Sequence, residues 1–237
     1  MRDLFVTGTD TDVGKTFITC ALIEAFAARG IRATPMKPVA AGTINVNGVE
    51  MNADVAALRE VSATKAALSD VNPYCFSEPI APHIAAQHEN VVVDIGVIRA
   101  AYDRLKGDTE IVLVEGAGGF LVPLSTGQSM AEIPIALGLD VILVVGMRLG
   151  VLNHALLTVE AVRARGLMLS GWVANTMVAG PPMLAFEENI ASLACMIDAP
   201  LLGTVPYDTR ATGAIESARH RGGAGRAARR FGGLALV

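Results

Sequence analysis

The sequence predicts an α/β domain, a mostly parallel sheet covered by helices on both faces, and three observations lead there. Short β-branched runs alternate with longer amphipathic segments along the chain, the order expected of βαβ units. The strand runs, "IVLVE" and "VILVV" among them, are almost continuously apolar, as strands buried on both faces must be. A glycine-containing loop separates the first strand from the first helix, and 237 residues suffice for a single domain with a substantial core.

Taken in order, strands are expected at Leu4–Thr7, Ala33–Val39, Ile111–Glu115, Val141–Val145, Gly171–Ala174 and Leu201–Val205. Helices are expected at Lys15–Arg29, Ala53–Val61, Ile95–Leu105, Met130–Leu137, Leu152–Arg165 and Leu184–Met196. Gly42 to Gly48 reads as a surface loop. Asn72 to Pro82, with three prolines, reads as a constrained connection. From Gly213 the chain becomes rich in Gly, Ala and Arg ("ARHRGGAGRAARRFGG") and loses its periodicity. The expected organisation is therefore a domain over residues 1–212 and a flexible tail over 213–237.

Apolar residues make up 52% of the chain against 18% charged, which argues against disorder. The longest strongly apolar run, Val141–Met147, is closed by Asp140 and Arg148 and is far too short to span a bilayer, so no membrane is expected as a partner. A net charge of −4 gives no reason to expect nucleic acid. Cys20, Cys75 and Cys195 are far apart and form no CxxC pair. Buried, reduced thiols and a cytoplasmic location are expected, and no export signal is evident at the N-terminus.

The segment "VTGTDTDVGKTF" occupies the strand–loop–helix context of a phosphate-binding loop. Consecutive backbone N–H groups there wrap phosphates, and the helix N-terminus adds positive potential. Gly14 lets the backbone approach a phosphate, Lys15 reaches the β and γ phosphates, and Thr16 Oγ binds magnesium. The strict pattern GxxxxGK[ST] is not met, because its first glycine would fall at Thr9 and the glycine stands at Gly8. A turn that merely starts a helix would explain Gly14 but not the adjacent Lys15-Thr16 pair.

Ligands of open parallel sheets bind beyond the carboxyl ends of the strands, and those ends carry chemistry here. Glu115 closes "IVLVE". A half-buried carboxylate needs a cation, either magnesium shared with Thr16 or an ordinary ion pair with Lys15 or Lys37. Gly116, Gly118 and Gly119 admit a substrate or simply make a tight turn. Lys37 precedes Pro38, which restricts it to extended geometry. It is a fixed cation for phosphate transfer or a lysine snorkelling from a strand end. Asp54 falls in the first turn of a helix, as a dipole partner or as a magnesium ligand. His83, His88 and His154 have no metal-ligand spacing.

Together, "VTGTDTDVGKT", "KPVAAG", "VNPYCFSEPIAPHIAA", "LVEGAGGFLVPL", "VILVVGMRLGVLNHALLT" and "GWVANTM" resemble the successive blocks of the dethiobiotin synthetase family, in that family's order, over about Leu4 to Asp208. The resemblance implies a P-loop NTPase-like fold and a cytoplasmic homodimer with its active site near the subunit interface. It implies a synthetase that joins 7,8-diaminopelargonate and CO2 at the expense of ATP, with magnesium. By matching position, it implies that Asp12, Val13, Gly14, Lys15, Thr16 and Phe17 line the phosphates. Thr16, Asp54 and Glu115 would hold the metal, and Lys37 and Lys15 would be catalytic. Gly116, Ala117 and Gly118, with Asn175, Thr176, Pro206, Tyr207 and Asp208, would complete the nucleotide site, Asn175 reading adenine. Ala41 and Gly118 would contact the substrate. Leu149, Gly150, Val151, Leu152 and Asn153 would present a helix start to the substrate's carboxylate from the partner subunit.

Three departures stand out. Ala41 replaces the family's usual hydroxyl residue, Ala81-Pro82-His83 replaces its "SPH", and nothing after Asp208 matches the family's nucleotide-contacting acidic position. Rival readings fit less well. A switch ATPase of the partitioning type typically carries an early second lysine in the loop, where this chain has Asp10. A cobyrate-type amidotransferase needs a further domain. A pure binding module leaves Lys15, Lys37 and Glu115 without a purpose.

Overall fold

The computed structural model describes residues 2–207. Its main sheet is built from β1 (Leu4–Gly8), β2 (Ala33–Met36), β7 (Ile111–Glu115), β10 (Asp140–Met147), β11 (Leu169–Thr176) and β12 (Leu201–Val205). Between them lie two short pairs, β3 (Val39–Ala41) with β6 (Tyr74–Phe76) and the hairpin β4 (Ile44–Val46) with β5 (Val49–Met51), and a further hairpin, β8 (Pro123–Ser125) with β9 (Gln128–Ser129). The helices are α1 (Lys15–Ala27), α2 (Ala53–Val61), α3 (Leu68–Val71), α4 (Pro82–His88), α5 (Ile95–Lys106), α6 (Glu132–Leu137), α7 (Val151–Arg163) and α8 (Phe186–Met196).

The six main strands run in the order β12-β11-β10-β1-β7-β2, and every neighbouring pair is parallel. Strand alternation sends successive side chains to opposite faces. Ile111 and Leu113 of β7, with Ile142 and Val144 of β10, pack against Ile18, Leu22 and Phe26 of α1 and Leu58 of α2. Val112 and Val114 meet Ile98, Tyr102 and Leu105 of α5 on the other face. Leu143, Val145 and the fully buried Trp172 meet Val159 of α7 and Leu193 of α8 on that same side. Each large side chain so buried contributes about 1.5–3 kcal/mol. Continuing the alternation past Val114 turns Glu115 to the α1 face, where the glycine-containing loop ends.

The expected strand Ala33–Val39 is two strands. Pro38 has no N–H to give a ladder, and Lys37 N donates to Val71 O at 2.7 Å instead. β2 therefore ends at Met36, and β3 turns away to pair with β6. The expected loop Gly42–Gly48 carries the β4–β5 hairpin, whose turn residues Asn47 and Gly48 both have positive φ, 52° and 86°, the geometry of a type I′ turn. The Asn72–Pro82 connection contains β6 and leads straight into α4, a helix too short to show a period. Helix α8 begins at Phe186 rather than Leu184, behind Ala185 at φ 54°. The expected boundary at Gly213, the tail behind it and Asp208 lie outside the described residues. No helix among the described residues is long and apolar enough to cross a membrane.

Candidate active site

The loop between β1 and α1 is held from below by a wedge. The Val13 side chain sits in a notch made by two glycines. A Cβ on Gly8 would lie 2.5 Å from Val13 Cγ2, and one on Gly146 would lie 2.7 Å from Val13 Cγ1. Thr9 N donates to Val144 O at 3.0 Å, fastening the loop to β10. Gly14, at φ 86°, makes the left-handed turn into α1, a conformation that disfavours any side chain. No side chain caps that helix start, the condition in which a helix N-terminus takes an anion.

Beside the loop lies a cluster of four charged side chains, Lys15, Lys37, Asp54 and Glu115. Glu115 has 0% of its surface exposed, Lys37 4% and Lys15 7%, while 35% of the Asp54 side chain meets solvent. Lys37 Nζ donates to Glu115 Oε1 at 2.6 Å and to Asp54 Oδ2 at 2.7 Å. Thr16 Oγ1 donates to the same Glu115 Oε1 at 2.7 Å, and Lys15 Nζ donates to Asp10 O at 2.9 Å. Burial pushes the Lys37 ammonium down, but the Glu115 and Asp54 carboxylates more than offset it, so the group titrates above an ordinary lysine. For Asp54, burial raises the pKa, yet Lys37, Thr16 and Lys15 hold the carboxyl below its usual value. Burial first, and then the Lys37 charge, bring Lys15 down to about 8 despite Glu115, Asp54 and Asp12.

Two asparagines hold this cluster in place. Asn52 caps α2 by accepting from Asp54 N at 3.0 Å, and its Nδ2 donates to Ala41 O and Gly42 O at 3.1 and 2.8 Å. It thereby ties the Asp54 turn to the end of β3. Asn72 Nδ2 donates to Lys37 O at 2.7 Å and Tyr74 O at 2.9 Å, fixing the backbone of Lys37 where β2 ends. At the end of β7, Gly116 N donates to Val6 O at 3.0 Å, which fixes Glu115 beside the loop. Gly118 has φ 63°, and a Cβ there would lie 2.7 Å from Val122 and 3.5 Å from Thr11 Oγ1.

One carboxylate oxygen is left over. Glu115 Oε2 is buried and has no hydrogen-bond partner. Thr16, Asp54 and Glu115 offer only oxygen donors, which suits a hard cation such as magnesium. No group of three or more His, Cys, Asp or Glu side chains among the described residues forms a metal cage. Two carboxylates and a hydroxyl match magnesium's habit of using few protein ligands and completing its shell with phosphate and water. The residues fit the ion.

The remaining expected residues among those described stand at the same edge of the sheet. Asn175 and Thr176 end β11, and Asn175 pairs in register with Val205 of β12, so Pro206 and Tyr207 follow beside them. Ala41 ends β3 with its carbonyl held by Asn52. Ala117 packs against the core. Leu149 to Asn153 stand after β10 at the start of α7, with Gly150 at φ 92° and Leu149 94% exposed. An ion pair between Arg148 and Asp10 ties that turn to the phosphate loop. Asn52, Asn72, Gly146 and the Asp10–Arg148 pair were not anticipated, and Gly8 was noted only as a departure from the strict loop pattern. Asn52 alone had a signal, an asparagine directly before an amphipathic run.

A family model described as an AAA domain matches residues 2–214. The ATP-dependent dethiobiotin synthetase BioD of Aromatoleum aromaticum is 52% identical over 206 residues, covering 87% of this chain and 91% of that protein. The protein of the same name from Nitrosospira multiformis is 52% identical over 207 residues, covering 87% and 89%. Among solved structures, the cell division protein MinD of Aquifex aeolicus shares the fold alone, with a TM-score of 0.56 at 11% identity over 92% of this chain and 87% of that one. MinD of Pyrococcus horikoshii, complexed with Mg-ADP, does so at 0.54 and 19% identity, over 98% and 93%. The switch-ATPase alternative is thus a likeness of fold, whereas relatives at 52% identity, matched over 91% and 89% of their length, share the synthetase name. On that evidence of site and sequence, the chain belongs to the ATP-dependent dethiobiotin synthetases, P-loop ligases of biotin biosynthesis.

Proposed function

We propose that the chain converts 7,8-diaminopelargonate, CO2 and ATP to dethiobiotin, ADP and phosphate through a carbamate. The observation that carries this reading is the placement of Lys37 Nζ, 2.6 Å from Glu115 and 2.7 Å from Asp54, beside a phosphate loop whose Thr16 binds the same Glu115 oxygen. One substrate amine adds to CO2 and loses a proton. The carbamate oxygen then attacks the γ-phosphorus as ADP leaves. Finally the second amine attacks the carbonyl carbon, phosphate departs, a proton is lost, and the ureido ring is closed.

Catalysis here is positioning and charge stabilisation. The loop from Asp12 to Phe17 grips the phosphates, and Lys15 bridges nucleotide and carbamate. Lys37, fixed at the end of β2, neutralises the charge that spreads over the transferring group. Magnesium, held by Thr16, Asp54 and Glu115, would supply Lewis-acid neutralisation of the phosphate oxygens. Asn175, Thr176, Pro206 and Tyr207 enclose the base, with Gly116, Ala117 and Gly118 beside the phosphates; Asp208, expected with them, lies outside the described residues. Ala41 and Gly118 border the diamine. Because Ala41 lacks a hydroxyl, its contribution to substrate binding is limited to the backbone.

We place Leu149–Asn153 at the interface of a homodimer, where the start of α7 receives the substrate carboxylate of the partner subunit. The almost fully exposed Leu149 supports that placement. The three thiols are free but not buried as expected, Cys20 and Cys75 being half-buried and Cys195 exposed; free thiols suit the cytoplasm. The synthetase domain occupies the described residues, 2–207. The test is a coupled assay of ADP release with bicarbonate and a panel of diamino acids. ADP formation that depends on diaminopelargonate is expected. Turnover that ignores the diamine would return the chain to the switch ATPases.

A further inference from the structure

We propose that Asn175 is a positioning residue for the phosphate loop as well as a reader of the base, so that one amide couples the two ends of the nucleotide. The proposal rests on the site being that of ATP. Asn175 lies in register with Gly146 on the neighbouring strand, and Gly146 is one wall of the notch that seats the Val13 side chain. From there Asn175 Nδ2 donates to Val13 O at 2.8 Å. Val13 is therefore held twice, its side chain from below and its carbonyl from the side. The amide also packs against the turn itself, because a Cβ on Gly14 would lie 2.3 Å from Nδ2. Asn175 is only 5% exposed, so it has little freedom to leave.

The hydrogen-bonding capacity of the amide allows both roles. A primary amide has two N–H donors and one carbonyl acceptor. One hydrogen is committed to Val13 O. Nδ2 otherwise reaches Met177 Sδ at 3.3 Å, a weak acceptor that is easily exchanged. The second hydrogen can pass to a ring nitrogen of the base while Oδ1 accepts from an exocyclic amine, the bidentate pairing of asparagine with adenine. Guanine offers two acceptors on that edge and gives Oδ1 nothing. Base recognition thus uses the half of the amide that the loop leaves over.

A probe with no base separates the roles. Magnesium tripolyphosphate, magnesium ATP and magnesium GTP are titrated by calorimetry into wild type, Asn175→Ala and the isosteric Asn175→Asp, which replaces the donor with an acceptor facing Val13 O. Amide hydrogen exchange is followed in the ligand-free proteins. Loss of one buried hydrogen bond should weaken tripolyphosphate binding about five- to tenfold in Asn175→Ala, and more in Asn175→Asp. Exchange across residues 9–17 should quicken while peptides from α8 keep wild-type rates. Unchanged tripolyphosphate affinity and loop exchange, with weaker ATP binding, would leave Asn175 a base reader and overturn the proposal. Faster exchange throughout the sheet would also overturn it, by showing a general structural role. If wild type prefers neither ATP nor GTP while tripolyphosphate binding still falls in the variants, the adenine assignment fails and the role in the loop stands.

Discussion

Gly146→Ala should impair the enzyme without touching a ligand. The new Cβ would lie 2.7 Å from Val13 Cγ1 and 3.2 Å from Val13 Cβ, whereas carbon atoms rest about 3.5–4.0 Å apart. Val13 must therefore retreat by about 1 Å, and its carbonyl and the Gly14 turn move with it. Overpacking of this kind costs about 1–3 kcal/mol of stability, which lowers Tm by about 2–4 °C per kcal/mol in a chain of this size. The functional loss should be larger, because a displacement of about 1 Å in a positioned group costs on the order of 10²-fold. The assay is steady-state ADP release at saturating diamine with ATP varied, alongside a thermal melt. A Val13→Ala background removes both γ carbons and leaves only the 3.2 Å approach to Cβ, so the same glycine substitution should cost less there, a non-additivity that isolates the contact. A single variant with kcat/KM for ATP within about twofold of wild type would refute the wedge, as would a double variant no better than the Gly146→Ala single.

Lys37→Ala should abolish turnover while keeping nucleotide affinity within about tenfold, since its work is on the transferring group. It also strands Glu115 without its cation, so the melt should drop and added magnesium should restore it more than in wild type; turnover at the wild-type rate would remove Lys37 from the mechanism. Glu115→Gln should lower magnesium-dependent turnover by about 10²-fold or more, the loss of several kcal/mol of charge stabilisation, and a normal magnesium titration would clear Glu115 of metal binding. Tyr102 donates to Asp3 in the core, and burial followed by Asp3 raises its pKa. The neutral phenol's contribution is therefore complete below the unfolded value of about 10 and is lost as pH rises beyond it. Tyr102→Phe should flatten the decline of urea midpoints across about pH 9.5–11, and parallel curves for the two proteins would refute the assignment.

The six sheet strands and the main helices were legible because burial on both faces leaves unbroken apolar runs. Ile111–Glu115, Leu201–Val205 and Ala53–Val61 match their elements end to end. The break at Lys37-Pro38 was half legible. Proline forbids a ladder bond, but only the fold shows that Val71 and Asn72 take over the backbone of Lys37. The β4–β5 hairpin had its Asn47-Gly48 signature in plain view, between runs too short and too exposed to read as strands. At the site, Lys15, Thr16, Lys37, Asp54 and Glu115 could each be nominated from a strand or helix end. Which of them met could not, because the sequence equally allows Asp54 to serve its own helix, a duty that falls to Asn52. The notch under Val13 was invisible, since it depends on two glycines, Gly8 and Gly146, that are far apart in the chain.

Strand order carries a consequence for how the protein comes into being. β7 lies between β1 and β2, so Glu115 joins Thr16 across 99 residues and Lys37 across 78. A ribosome that has released the chain only as far as the end of α5 at Lys106 exposes a lysine and a phosphate loop with nothing between them. Contacts this remote form late, after the loop-closure entropy has been met. Completion of the site beside the phosphate loop therefore marks the moment when β7 slots home, and labelled ATP captured by stalled nascent chains would time that event.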